Sequence, residues 1–181
     1  MSPRRRLPST RFYVWSFIVL LVALRIIAAT NWRERRTFED APLRDASCEV
    51  VRVVSGNTLI VRQSHLPEPV TVRLLSTQAA DEKQDGPSLA RQATAFTRDF
   101  VARGAVRLRL DQHRLDRQGN YLAYVEVADE QLNEALLESG LARFRHFPGN
   151  SQAMDRRLSD AERAAKSAKL GIWSSGDVAA E

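Results

Sequence analysis

The stretch VVSGNTLIV, from Val53 to Val61, reads as two β-strands joined by a tight turn. β-Branched and apolar residues flank the tetrad Ser55-Gly56-Asn57-Thr58, whose small and polar residues are typical of turns. The run VTVRLL, which begins at Val70, has the same strand-like composition. These two segments predict that the folded part of the chain starts with three strands.

Two more strands and three helices follow in the sequence. Strand patterns occupy Val106 to Asp111 and Tyr121 to Val127. Apolar residues recur at helical spacing from Ser88 to Arg103, from Leu132 to Gly140, and from Ser151 to about Gly171. Three strands, a helix, two strands, a helix, a short segment and a last helix match an α+β domain. The fitting architecture is a five-stranded Greek-key barrel with three packed helices.

The positive charge of the chain is confined to its N-terminal part. The 181 residues carry a net charge of +5, and residues 1–43 contain eight arginines against three acidic residues. Residues 44–181 hold nineteen basic and nineteen acidic residues, so they carry no net charge. This balance argues against general electrostatic binding of nucleic acid by the folded part. The single cysteine, Cys48, excludes an intrachain disulfide and, with three histidines, a structural zinc site.

Phe12 to Thr30 is an apolar run that predicts a membrane-inserted helix. Arg25 is its only charged residue, and as a helix it would be about 28 Å long, close to the hydrocarbon thickness of a bilayer. Tyr13, Trp15 and Trp32 lie near its ends, where interfacial aromatic residues concentrate. We therefore expect residues 12–30 to contact the membrane as a single-pass anchor.

The arginines before this run favour a cytoplasmic N-terminus, with the folded domain on the outer side of the cell membrane. Cleavage as a signal peptide, followed by secretion, is the alternative, although Ala28-Ala29-Thr30 is a poor cleavage site. The predicted organisation is a basic segment (1–11), a transmembrane anchor (12–30), a juxtamembrane linker (31–46), the globular domain (47–174) and a polar tail (175–181).

From Cys48 to Trp173 the chain resembles the staphylococcal-nuclease-like (thermonuclease-like) family. The resemblance rests on five segments in the family's order and spacing: VVSGNTLIV, VTVRLL, LDRQGNYLAYV from Leu115, LNEALLESGLAR from Leu132, and AERAAKSAKLGIW from Ala161. It implies a barrel of the oligonucleotide-binding (OB) type. It also implies calcium-dependent phosphodiester hydrolysis of DNA and RNA.

The resemblance further implies which positions would carry that chemistry. In the family, carboxylates in the first turn and after the third strand hold calcium, a glutamate activates water, and two arginines stabilise the transition state. The matching positions here are Asn57 and Gln78 for the carboxylates, Asp81 for the glutamate, and Arg73 and Asn120 for the arginines. Of these five, Arg73 alone keeps the family's residue.

These substitutions predict that catalysis is lost or strongly impaired. Calcium prefers anionic oxygen, so two amides in place of carboxylates should leave calcium binding weak or absent, and no other cofactor is implied. Arg73 and Asp81 are then remnants of a catalytic site. Each also has a structural interpretation. Arg73 would be a barrel arginine paired with a carboxylate such as Asp81, and Asp81, Glu82 and Asp85 would form a solvated loop before Gly86-Pro87.

The turn from Asp116 to Asn120 adds two smaller expectations. Asp116 is expected to accept hydrogen bonds from backbone N–H groups of the turn, as aspartates in turns do. Arg117 is interpreted as a solvent-facing turn residue, with reach into the cleft as the alternative.

Two functions are compatible with these features. The first is a membrane-anchored domain that has lost nuclease catalysis and binds a protein partner at the cell envelope. Single-stranded nucleic acid is a weaker candidate for the partner, since aromatic residues for base stacking are scarce. The second is a metal-dependent phosphodiesterase that hydrolyses DNA or RNA at an altered site using Arg73 and Asp81.

Overall fold

The computed structural model of the protein describes residues 43–174. The strands are β1 (Ser47–Ser55), β2 (Thr58–Arg62), β3 (Val70–Leu74), β4 (Thr77–Ala79), β5 (Val106–Arg109), β6 (Tyr121–Val127), β7 (Glu130–Gln131) and β8 (Ala142–Phe144). The helices are α1 (Glu82–Val101), α2 (Leu132–Glu138) and α3 (Gln152–Ser167), followed by a 3₁₀ turn at Gly171–Trp173. The predicted anchor and the polar tail lie outside the described residues. Within residues 43–174, no helix combines the length and apolar character needed to cross a bilayer.

Five strands close into a barrel, which confirms the predicted α+β architecture with three helices. Hydrogen-bonded neighbours follow the order β3-β2-β1-β5-β6, and β3 also pairs with β6. The β3–β6 pairing is parallel, whereas the other pairings around the barrel are antiparallel. β7 extends β6 as a short hairpin, and β4 pairs with β8 in a separate two-stranded sheet.

The barrel interior is filled by apolar side chains that alternate along the strands. In β2 and β5, buried residues alternate with half-buried or exposed ones, because successive strand residues face opposite sides of a sheet. Leu59, Val61, Val72, Leu108 and Val125 are fully buried in this core. Removing these side chains from water is the main source of the barrel's stability.

α1 packs directly on the turn between β1 and β2. The hydroxyl of Thr97 donates a 2.7 Å hydrogen bond to the carbonyl oxygen of Gly56. A Cβ atom at Gly56 would lie 2.7 Å from the Cβ of Ala93 and 2.8 Å from the Cβ of Ala79, so only glycine permits this close approach. The helix thereby fixes the position of the next residue, Asn57.

α1 begins six residues earlier than the sequence pattern predicts. Its first turn is separated from the remainder by Gly86, which has a φ of 82°. Asp81 is the N-cap, and its Oδ1 accepts hydrogen bonds from the N–H groups of Lys83 and Gln84 at 2.9 and 3.0 Å. The expectation of a solvated acidic loop here is therefore wrong. Acidic residues stabilise this segment as the capped start of a helix.

Asn133 joins the barrel to the small β4–β8 sheet from a fully buried position. Its Oδ1 accepts a 3.1 Å hydrogen bond from the N–H of Val125 in β6. Its Nδ2 donates to the carbonyl oxygen of Leu75 at 2.8 Å and to the hydroxyl of Thr77 at 3.2 Å. A buried amide with both ends satisfied fixes β4 relative to the barrel.

We expect Asn133→Ala to lower the free energy of unfolding by about 2–3 kcal/mol, because it leaves the buried N–H of Val125 without an acceptor. Urea denaturation of a fragment spanning residues 43–174 measures this change. The matched control is Gln92→Ala at an exposed position of α1, which should change stability by less than about 0.5 kcal/mol. An equal effect of the two substitutions would contradict the role given to Asn133.

Candidate active site

Asn57 lies in the β1–β2 turn, where its side-chain amide has three hydrogen-bond partners. Oδ1 accepts hydrogen bonds from the hydroxyls of Ser55 and Thr58, each at 3.2 Å. Nδ2 donates a 3.1 Å hydrogen bond to the carbonyl oxygen of Thr77 in β4. The last bond needs an N–H donor, since a carboxylate at this position would face the carbonyl with no proton to share. An amide therefore fits this position better than an acid does.

Gln78 projects from β4 into a different set of contacts. Its Oε1 accepts a 2.6 Å hydrogen bond from Nε of Arg145, and its Nε2 donates to Oε1 of Gln84 at 3.3 Å. Arg145 follows β8, the strand that pairs with β4. A guanidinium thus contacts the oxygen that would have to bind a metal ion. Sequence reasoning missed Arg145, because no local pattern places it against Gln78.

Arg73 pairs with Asp116 rather than with Asp81. Its Nη1 donates a 3.1 Å hydrogen bond to Oδ2 of Asp116. The prediction that Arg73 pairs with a carboxylate is confirmed. The suggested partner, Asp81, is wrong, because Oδ1 of Asp81 caps α1 instead. The Arg73 side chain is 41% exposed, so part of the guanidinium still faces solvent.

Asp116 organises the turn before β6, which confirms its predicted role. Its Oδ1 accepts hydrogen bonds from the N–H groups of Gln118 and Asn120, each at 2.9 Å. Its Oδ2 accepts the side-chain amide of Asn120 at 2.9 Å in addition to Arg73. Burial alone would raise the pKa of Asp116, but the hydrogen bonds from Asn120, Arg73 and Gln118 outweigh burial and lower the pKa. Arg117, in the same turn, is exposed as predicted.

The five predicted positions therefore divide into separate groups. Asn57 and Asp81 line one cleft of about 600 Å³ between the β1–β2 turn and α1. Arg73 and Asn120 both donate hydrogen bonds to Asp116, and Gln78 accepts one from Arg145. Gln78, Arg73 and Asn120 are not among the residues that line the cleft.

The donor set at these positions does not fit a calcium ion. Calcium takes six to eight oxygen ligands, typically including carboxylates. The oxygens of Asn57 and Gln78 are neutral and already accept hydrogen bonds. Asp85, one of the three acids of the predicted cluster, accepts two hydrogen bonds from Arg143 at 2.6 and 2.9 Å. Within residues 43–174, no three His, Cys, Asp or Glu side chains are grouped so that they could hold a metal ion.

A five-stranded barrel with the strand order β3-β2-β1-β5-β6, closed by the β3–β6 pairing, is a fold of the OB type. A family model described as "Staphylococcal nuclease homologue" matches residues 71–175. The chain therefore belongs to the staphylococcal nuclease family, as its sequence motifs predicted.

Individual relatives agree with this assignment. The thermonuclease of Staphylococcus hyicus is 28% identical over 163 residues, which cover 87% of this chain and 95% of the relative. The thermonuclease of Staphylococcus intermedius is 30% identical over 134 residues, covering 72% and 78%. The endonuclease YncB of Bacillus subtilis is 32% identical over 128 residues, covering 68% of this chain and 59% of YncB.

Because the pKa of Asp116 is lowered, we expect the effect of Asp116→Asn on the free energy of unfolding to depend on pH. The ionised carboxylate stabilises the fold above the ordinary carboxyl pKa of 3.8, and this contribution is lost as the pH falls through the lower pKa of the folded state. The substitution should cost about 1–3 kcal/mol of unfolding free energy at neutral pH and progressively less below pH 3.8. Urea denaturation across this range measures the difference. Asp99→Asn, at an exposed position without an ion pair in residues 43–174, is the control. A cost for Asp116→Asn that stays constant as the pH falls would contradict the assignment.

Proposed function

We propose that this chain is a nuclease-fold protein that binds a partner and does not hydrolyse phosphodiesters by the family's calcium-dependent route. The observation that carries the proposal is the bond from Nδ2 of Asn57 to the carbonyl oxygen of Thr77. In this contact an N–H group supplies the positive partner that a bound cation would otherwise supply. The turn is held in place without a metal, so the fold persists when metal-dependent chemistry is lost.

The two remnants of the catalytic site have structural partners that support the same proposal. A general base must lie within hydrogen-bond reach of the attacking water. Oδ1 of Asp81 accepts two backbone N–H groups of α1, which fixes this carboxylate as the cap of the helix. The guanidinium of Arg73 forms an ion pair with Asp116, which engages part of its hydrogen-bonding capacity. The resemblance expects a second arginine at Asn120, whose amide cannot replace a guanidinium at a developing phosphate charge.

Hydrolysis of DNA or RNA at an altered metal site is the second candidate. It is favoured by the solvent-facing part of the Arg73 guanidinium and by the names of the relatives, which are thermonucleases and an endonuclease. Gln78 and Arg73 do not line the cleft that holds Asp81, which disfavours a single site for a metal, a base and a phosphate.

A comparison of the wild type with the double variant Asn57→Asp, Gln78→Asp tests the proposal. We expect no calcium binding by the wild type in calorimetry and no cleavage of single-stranded DNA with calcium, magnesium or manganese. The double variant should bind calcium measurably, because two carboxylates restore anionic oxygen to the site. The double variant Asn57→Ala, Gln78→Ala controls for loss of the native hydrogen bonds. Metal-dependent cleavage by the wild type that Arg73→Ala abolishes would establish the second candidate instead.

We further propose that residues 12–30 tether the domain to the cell membrane, with the domain on the outer side. The apolar run and the arginines that precede it support this topology. The partner is proposed to be a protein of the cell envelope, because the neutral folded part offers little general attraction for nucleic acid.

Membrane attachment is checked by alkaline extraction of cell membranes. The full chain should remain in the membrane fraction at its full mass, whereas a variant that lacks residues 1–30 should be released, because only the former retains the apolar run. External protease should degrade the domain in intact spheroplasts. A soluble product with the mass of residues 31–181 would show signal cleavage and contradict the anchor.

A further inference from the structure

The short sheet formed by β4 and β8 carries three long polar side chains on one face. The two strands pair antiparallel, with Gln78 opposite Arg143. The pairing continues past β8, because the N–H of Arg145 donates a 2.9 Å hydrogen bond to the carbonyl oxygen of Ser76. Residues directly opposite each other, and those two positions further along, project from the same face of a sheet. Gln78, Arg143 and Arg145 therefore lie side by side.

The side-chain amide of Gln78 is held at both ends. Its Oε1 accepts the 2.6 Å hydrogen bond from Nε of Arg145, and its Nε2 donates to Oε1 of Gln84 in the first turn of α1 at 3.3 Å. A donor on one side and an acceptor on the other fix the direction in which the amide points. The oxygen of Gln78 therefore faces a guanidinium.

The two arginines of this face differ in how their charges are balanced. Arg143 donates two hydrogen bonds to the buried carboxylate of Asp85, so its charge is neutralised within the protein. Arg145 is exposed and forms no ion pair with any of residues 43–174. Its side-chain partner, Gln78, is neutral. One uncompensated positive charge thus lies directly at the oxygen of Gln78.

A fixed positive charge at this place opposes a metal ion independently of the amides. The neutral oxygens of Asn57 and Gln78 are poor calcium ligands because they carry no charge. Repulsion between a guanidinium and a nearby divalent cation adds to this weakness, and it would persist if a carboxylate replaced the amide of Gln78. Such a carboxylate would also form an ion pair with Arg145, which would compete with the metal ion.

We infer that Arg145 is the residue that excludes divalent cations from this site, because its guanidinium is a built-in cation beside Gln78. This role of Arg145 deepens the proposed function and rests on it. Two separate changes then account for the loss of metal binding. The amides remove the attraction for a cation, and Arg145 adds repulsion. Restoring the carboxylates alone therefore restores only part of the calcium affinity.

Calcium calorimetry on the full chain in mild detergent tests this role. The starting protein is the double variant Asn57→Asp, Gln78→Asp. Adding Arg145→Ala to it should tighten calcium binding by about tenfold or more, because the repulsion and the competing ion pair are both removed. Adding Arg107→Ala instead removes the same charge from an exposed position of β5, outside the β4–β8 sheet. This control should leave the affinity of the double variant unchanged, because solvent screens distant surface charges.

A further variant separates the charge of Arg145 from its shape. Adding Arg145→Lys to the double variant keeps a positive charge at the site, so the calcium affinity should stay close to that of the double variant. Thermal unfolding with and without millimolar calcium gives a second reading and shows whether each variant is folded. A ligand that binds the folded state raises the melting temperature, so the variant with Arg145→Ala should show the largest rise.

Equal calcium affinity of the double variant with and without Arg145 would overturn the inference, and so would an equal tightening in the Arg107→Ala control. Absence of calcium binding with and without Arg145 would overturn it as well, since the restored carboxylates would then fail for another reason. The proposed function is judged separately, on the unsubstituted protein, where calcium binding or metal-dependent cleavage would contradict it. A failure of the role of Arg145 is therefore distinguishable from a failure of the proposed function.

Discussion

The hydrogen bond between the side-chain amide of Asn57 and the carbonyl oxygen of Thr77 joins the first turn of the barrel to β4. It depends on a donor at a position where the family resemblance expects a carboxylate. A carboxylate in the same place would need a cation between itself and the carbonyl, whereas an amide makes the contact by itself. The other contacts of the site follow the same pattern, in which N–H groups of the protein take the place that a bound cation would occupy.

The same exchange recurs at the other substituted positions. Gln78 receives the guanidinium of Arg145, and Asn120 donates to Asp116. Asp85 forms an ion pair with Arg143. Each polar group is thus satisfied within the protein, which removes the cost of leaving buried or clustered carboxylates without a counter-ion. Under the proposed function, a scaffold arranged in this way would keep the nuclease fold without calcium.

The sequence predicted the barrel because its strands and helices have clear periodicities. It missed β4 and β8, since strands of three residues are too short to show an alternating pattern. It also placed the start of α1 too late, because Gly86-Pro87 resembles a helix boundary although a capped turn precedes it. The positions of Asn57 and Gln78 followed from the family resemblance. The partners of Arg73 and Gln78 could not be predicted, because Arg73 and Asp116 are 43 residues apart in the sequence, and Gln78 and Arg145 are 67 apart.

A crystal structure of residues 43–174 grown in millimolar calcium is the most direct test of a turn held by internal donors instead of a metal. We expect the amide of Asn57 to remain bonded to the carbonyl oxygen of Thr77, with no ion between the β1–β2 turn and Gln78. A calcium ion coordinated by the side-chain oxygens of Asn57 and Gln78, with both amides turned away from their present partners, would contradict this expectation.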